Sequence, residues 1–577
     1  MKIHAPVIVE LESVFENPVA DFAGEQLFSY LERLFPGTGS GTRLRFIFTN
    51  CPKNELRFDG YEIRITEDSI IIASLIPRGI LYGVYEFLRL LGCRFLFPRP
   101  DLERVPVLDK FDLAEQVIVK NPKLEYRGLA LYQVIRETIP EAIHIIDWMA
   151  KNNYNLLLTS IHRTDHSPSQ GNAILWNETS EYLYPEIVKR GLAIDMSEHS
   201  TDEFFPRNEL FREHPEWFAL INGERKPLQI CYSNSEAIQR YADNVVEYVK
   251  KHHDFEFLGL WPLDGGGYCE CEHCQDPLTI LKANQVIAEA VGKVRPDITV
   301  EFLAYTPQSF TCPEEDLPPN MSVLVCDRYD KLGYDWGRKA RKSGGAFFFD
   351  YMTGDNCRYR ANVWINPFYC RDIVNTIISY HYRGIISLFL PITNWWQPCI
   401  NYWYMSKLYY DPTASIEELT RELARDMFGD ENFELMAKIL MKIYTELQDR
   451  TLWSRVPHAQ PYYHARLTDR NLEMDELHRE RLEQTLIELR AMLEQVNCDA
   501  FSPAEMLQME HLKEYLQLQW LFFTCIDQYN LETDTPEKVQ PYLQALAKLE
   551  EHGNRGFISY AYAESRILRD RDVLFED

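Results

Sequence analysis

Seven consecutive residues, Trp261-Pro262-Leu263-Asp264-Gly265-Gly266-Gly267, put an indole, an acid and three glycines directly after the apolar run Phe257-Leu258-Gly259-Leu260. An ionisable side chain at the tip of a buried strand, on backbone that a ligand can approach closely, suits a catalytic acid. The same residues also suit an Asp-Gly turn between a strand and a helix. Cys269, Cys271 and Cys274 follow in a CxCxxC spacing, with His273 beside the last. These groups could hold a structural zinc, with Cys312 or Cys326 as a distant further ligand; free thiols that stabilise the loop are the other reading. No cofactor is required by the pattern; a structural zinc is the one candidate. A nucleophilic Cys–His pair is the remaining use of these side chains.

An acid of this kind needs a rigid frame, and the flanking sequence is regular. Short apolar runs recur at Tyr126–Leu131, Asn155–Thr159, Leu192–Met196, Phe257–Leu260, Thr299–Ala304, Met321–Val325, Gly345–Phe349 and Gly384–Leu390. Amphipathic segments such as Ser235–His252 and Leu278–Val294 lie between several of them. Eight strand–helix repeats in about 290 residues predict an α/β fold, a (β/α)8 TIM barrel over residues 123–412. A doubly wound sheet is the rival, but the glycine-rich phosphate loop often found after its first strand is absent. Residues 1–122 mix strand and helix patterns, including a hairpin at Tyr61–Ile65 and Ser69–Ala73, and predict an N-terminal α/β accessory domain. After Asp411-Pro412 the strands stop, and residues 413–577 predict a C-terminal helical domain.

In such a barrel the ligand-facing residues sit at the C-terminal ends of the strands. Those positions hold His162, Glu198, His199, Trp261, Asp264, Tyr305, Asp327, Asp350, Tyr351, Asn394, Trp395 and Trp396. Aromatic faces stack on the apolar faces of sugars, while carboxylates and amides bind hydroxyls. Hydrolysis of a glycosidic bond usually takes two carboxyl groups. Asp264 is the first choice for one role, and Asp350, Asp327 and Glu198 compete for the second. Glu301 lies near the start of its strand and is expected to point away from the site.

The bulk numbers bound the partners. A net charge of −27 over 577 residues, with no basic stripe, argues against a nucleic-acid partner. Aromatics at 13%, with 11 Trp and 33 Tyr, fit a sugar-stacking cleft as well as a large core. No apolar stretch approaches the roughly 18 residues of a membrane span, so no membrane partner is expected. The 13 cysteines, with no export signal at Met1–Pro6, predict free thiols and a cytoplasmic location. A homo-oligomer stays open.

Several segments together resemble known families. Gly79–Leu88 and Gly92–Pro98 resemble the end of the accessory domain that precedes the barrel in β-hexosaminidases and α-glucuronidases. Tyr126-Arg127-Gly128 is similar to the start of the family 20 hexosaminidase barrel, which implies that Arg127 binds hydroxyls of the terminal sugar. His214-Pro215-Glu216-Trp217-Phe218, Leu263-Asp264 with the cysteine cluster, and Tyr410-Asp411-Pro412 resemble a bacterial family of once-unknown function. Some of its members are classed as family 163 endo-β-N-acetylglucosaminidases. The resemblance covers about residues 55–430. Family 20 enzymes carry an Asp-Glu pair after the fourth strand, whereas Asp264 is followed here by Gly265. The resemblance implies a glycosidase with a small-molecule carbohydrate substrate, first a β-linked N-acetylhexosaminide in a short oligosaccharide. A non-acetylated glycoside such as a uronide, or a barrel that binds carbohydrate without turnover, are the other readings.

Overall fold

The structure is a computed structural model. It describes the chain apart from residues 40, 52–54, 132–133, 135, 160–175, 198, 200, 265, 327–330, 352–364, 390–394, 448–475, 522–523, 526–534 and 552–577. The predicted barrel is present. Strands β8 (Tyr126–Leu131), β9 (Leu156–Thr159), β10 (Ala193–Met196), β13 (Phe257–Gly259), β14 (Thr299–Ala304), β15 (Met321–Cys326), β16 (Ala346–Asp350) and β17 (Gly384–Phe389) close into one ring. From β8 through β9, β10, β13, β14, β15 and β16 to β17, each strand pairs in parallel with the next. Each strand is buried on both faces, which is why all eight read as nearly continuous apolar runs.

Register and ring contacts show which side chains face the axis. Tyr126, Phe257 and Phe347 meet in one layer, with centroids 5.2–5.6 Å apart. Alternation then turns Phe349, Glu301 and Asp195 inward as well. Phe302 and Phe348 face outward, against Trp336 and Tyr382.

The N-terminal residues form a sheet in the order β2-β3-β5-β4-β7, comprising Val7–Ser13, Thr42–Asn50, Ile70–Ser74, Tyr61–Ile65 and Gln116–Lys120. The expected hairpin is β4–β5, paired from Tyr61↔Ser74 to Ile65↔Ile70. Two strand pairs were not expected. β1 (Lys2–His4) pairs with β6 (Lys110–Asp112), and β11 (Phe218–Ile221) pairs with β12 (Glu224–Ile230) ahead of β13.

The N-terminal layer and the barrel belong to one compact unit, Met1–Leu91, Val107–Asp350 and Thr376–Leu388. They are locked together at Asp59. Its Oδ2 accepts hydrogen bonds from Arg127 Nη2 and Asn155 Nδ2, both at 2.7 Å, and from Arg78 Nε at 3.0 Å. Arg127 also donates to the carbonyls of Leu124, Glu125 and Asn153. These carbonyls precede β8 and β9, so Arg127 lies at the N-terminal end of the barrel. The expected sugar contact is therefore corrected: Arg127 is fully buried and joins two layers, because the alternation that turns Tyr126 to the axis turns Arg127 outward onto Asp59 at the start of the strand. Burial alone would raise the Asp59 carboxyl, but Arg127 and Arg78 hold it below the usual carboxylate range.

The second unit comprises Gly92–Pro106, Tyr351–Asn375 and Phe389–Asp577. Its described part is helical from Trp396 onward, with long helices at Ile416–Lys442, Glu476–Leu493 and Pro503–Leu521. No helix of the described residues is long and apolar enough to cross a membrane.

Removing Asp59 takes the carboxylate from the buried Arg127 guanidinium and from the half-buried Arg78. Asp59→Ala is expected to lower the unfolding free energy by about 3–5 kcal/mol in urea melts. A variant as stable as the parent would show that the Arg127–Asp59 contact does not lock the layers.

Candidate active site

The chain leaves β13 at Gly259, and the described residues from 260 to 278 contain no α-helix and no strand. Backbone in such a loop must find partners outside itself. Gln229, buried at the end of β12, provides them. Its Nε2 donates to the carbonyls of Leu263 (2.7 Å) and Gly266 (3.3 Å), and its Oε1 accepts from the Leu263 N–H at 3.2 Å. Thr201 Oγ1 donates to the Trp261 carbonyl at 2.8 Å. These bonds fix the backbone on both sides of Asp264.

His199 lies just past β10 and faces this loop. Its Nδ1 bonds to the Pro262 carbonyl. A carbonyl only accepts, so Nδ1 carries the proton and Nε2 is turned to Asp264, 3.8 Å from Oδ1. The imidazole edge packs on Trp261 at 5.4 Å, and Tyr305 stands 6.3 Å away. Tyr268 and Thr306 share a hydrogen bond of 3.3 Å beside them, and burial pushes the Tyr268 phenol up to about 12. Asp264, His199, Trp261 and Tyr305 are thus gathered on one side of the barrel mouth, as the strand-end rule predicts.

Beneath Trp261 lies a pair of carboxyls. The indole Nε1 donates to Glu301 Oε1 at 3.2 Å, and Glu301 and Asp195 are within hydrogen-bonding reach of each other. Ser197 Oγ donates to Asp195 Oδ1. Gly259 leaves the room this requires: a Cβ there would come within 2.2 Å of Ser197 Oγ and 2.7 Å of Trp261 Nε1. Glu301, expected to point away, instead faces the axis because its alternation matches Gly259 and Trp261. Burial pushes Asp195 up to about 7, and burial with the neighbouring Asp195 raises Glu301 well above the carboxyl range. Both shifts run the same way: burial and the neighbouring acid disfavour two negative charges side by side in the barrel interior.

Other expected residues fall elsewhere. Asp350 is buried and accepts from Ser387 Oγ at 3.1 Å, but its alternation with Phe348 turns it to the outer face of the barrel wall, so it is not positioned to act as the second carboxyl. Trp396 is buried in the second unit, with its indole N–H on Gln508 Oε1 at 3.0 Å and its ring stacked on His511. Trp395 packs between Phe97 and His511. Both tryptophans therefore fill the helical unit's own core instead of flooring a pocket. Tyr351 follows β16 and is half-buried. His162, Glu198, Asp327 and Asn394 lie outside the described residues.

Cys269, Cys271 and Cys274 do gather, but the fourth thiol beside them is Cys231, at the exit of β12, and not Cys312 or Cys326. Gln229, Cys231 and Asp195 were missed. An acid inside an apolar strand was the signal for Asp195; nothing local marks Gln229 or Cys231. A cavity of about 520 Å³ opens beside the loop, lined in part by Gly266, Gly267, Tyr268 and Gln308, and Asp264 is not in its wall.

The raised carboxyls give stability a sign with pH. The folded chain holds a proton that the unfolded chain releases near pH 4, so stability falls as pH rises from about 4 to about 7, by roughly 1 kcal/mol per pH unit for a shifted carboxyl. Urea midpoints across that range should fall less steeply for Asp195→Asn than for the parent. Parallel profiles would mean that Asp195 is ionised in the fold.

Comparison with known proteins gives a fold and a family. No curated protein matches the chain in sequence. A family 115 4-O-methyl-α-glucuronidase with specificity for decorated arabinogalactans superposes with a TM-score of 0.66 at 12% identity, covering 96% of this chain and 78% of that one. A family 138 enzyme targeting pectin rhamnogalacturonan II gives 0.55 at 11% identity, covering 95% and 74%. A family 89 protein from Clostridium perfringens, in complex with its substrate GlcNAc-α-1,4-galactose, gives 0.53 at 13% identity, covering 92% and 66%. At these identities the likeness is one of fold. Residues 97–440, more than half of the chain, match the family described as domain of unknown function (DUF4838), and the chain belongs to that family.

Proposed function

We propose that the chain is a glycoside hydrolase acting on short oligosaccharides, with Asp264 as the proton donor. The observation that carries this reading is the Asp264–His199 pair, held at the mouth of a parallel barrel beside Trp261 and Tyr305. Its fold is shared with structures of carbohydrate-active enzymes, which supports the reading.

The chemistry follows from the groups present. Protonated Asp264 gives its proton to the glycosidic oxygen as the C1–O bond breaks, and the bonding pair stays on that oxygen. Water then adds at C1 and passes its proton to the Asp264 carboxylate, which restores the acid. His199 Nε2 faces Asp264 at 3.8 Å while its Nδ1–H is anchored on the Pro262 carbonyl. Trp261 and Tyr305 offer aromatic faces to the sugar ring.

β-Linked N-acetylhexosaminides are the first substrate class, on the resemblance of His214–Phe218, Leu263-Asp264 and the cysteine cluster to family 163 enzymes. Because Gly265 follows Asp264 where family 20 enzymes carry the Glu of their Asp-Glu pair, acetamido-assisted catalysis does not transfer directly, and a non-acetylated glycoside such as a uronide is the alternative substrate class.

A panel of aryl N-acetylhexosaminides and aryl uronides tests both. Asp264→Asn should cut kcat/KM by at least about a hundredfold on a poor leaving group. A dinitrophenyl leaving group, which needs little protonation, should restore much of it. Sugar binding in a calorimeter with no turnover of any substrate by the parent chain would make it a binding protein. Full activity in Asp264→Asn would remove Asp264 from the chemistry.

A further inference from the structure

We propose that Cys231, Cys269, Cys271 and Cys274 bind one zinc ion, which staples the β11–β12 hairpin to the loop that carries Asp264. The four sulfurs all lie within 4.8 Å of one another. Cys231 Sγ is 3.6 Å from Cys269, 3.8 Å from Cys271 and 3.9 Å from Cys274. A tetrahedral ion with metal–sulfur bonds of about 2.3 Å has sulfur–sulfur edges of about 3.8 Å. Disulfides would instead bring the sulfurs into two pairs at about 2 Å.

The surroundings are those of thiolates. The Leu220 N–H donates to Cys269 Sγ at 3.3 Å, and Arg225 Nη1 approaches the same sulfur at 3.9 Å. Ser233 Oγ lies 3.4 Å from Cys231, 3.4 Å from Cys271 and 3.2 Å from Cys274. Donors aimed at sulfur are the outer partners of a metal-bound thiolate, and the Arg225 guanidinium offsets the net negative charge of four thiolates on one divalent ion.

The fold gives the staple a purpose. The apolar cluster here contains only Ala219, Cys231 and Cys269 among its buried members, too little to hold a long loop by burial. The same two segments meet at further points: Glu270 N–H donates to the Leu220 carbonyl at 2.8 Å, and Asn222 N–H donates to Glu270 Oε2 at 2.7 Å. Zinc at the four thiols fixes residues 269–274 to the hairpin, and Gln229 of that hairpin holds residues 263–266. The ion is structural, since all four positions are taken by protein.

The full chain, purified under reducing conditions without chelator, should contain about one zinc per chain by elemental analysis. Cys231→Ser and Cys274→Ser should each lower the zinc content at least about tenfold, while Cys312→Ser leaves it unchanged. Because those variants can fail to fold, cobalt(II) exchange into the unmodified chain is a second measurement. Four thiolates give an intense sulfur-to-cobalt charge-transfer band with tetrahedral d–d absorption. Absence of that band, full zinc in Cys231→Ser, or a disulfide at Cys231 in non-reducing peptide maps each overturns the proposal. Metal content is read without turnover, so Asp264→Asn should keep its zinc whether or not the chain is a hydrolase.

Discussion

The reciprocal amide contact of Gln229 with Leu263 and Gly266 is the constraint on which the site depends. Asp264 sits in a stretch of backbone that has no ladder and no helix of its own. Its N–H and C=O groups would otherwise be unsatisfied in a buried place or left to water. One glutamine amide, with a donor and an acceptor in a fixed plane, meets three of them at once. The hairpin that supplies Gln229 lies outside the ring of eight strands, so an insertion between β10 and β13 sets the geometry at a strand end of the barrel.

Two buried acidic sites in the same compact unit show how partners decide charge. Asp59 is surrounded by Arg127, Arg78 and the Asn155 amide and is kept ionised. Asp195 and Glu301 meet each other, a serine hydroxyl and an indole N–H, and both are pushed toward the protonated form. Desolvation penalises the anion in both places; only the guanidinium pair overcomes it. The first site ties the accessory layer to the N-terminal ends of β8 and β9. The second sits under Trp261, where the raised carboxyls avoid the cost of two buried charges.

Much of the architecture was legible along the chain. All eight barrel strands fall on the apolar runs read from the sequence, and Thr299–Ala304 matches to the residue. The β4–β5 hairpin and the helical C-terminal region were equally plain. Periodicity reports burial directly, and parallel strands covered on both faces leave the strongest mark of all. The hairpin β11–β12 was missed because Glu224–Ile230 contains Pro227 and mostly polar residues, a weak strand pattern on a barely buried pair.

The candidate site was legible only in part. Asp264, His199, Trp261 and Tyr305 could be named because a strand end is a position along the chain. Arg127, Asp350, Trp395 and Trp396 were misjudged, because which way a side chain points depends on strand parity and on which layer packs behind it. Cys231 is separated from Cys269 by a helix and a barrel strand, so no spacing rule could join them. The order of residues thus determined the elements and their burial, since both follow from local periodicity. Closure of the ring and docking of the hairpin decided which side chains meet, because those contacts join residues far apart in the chain.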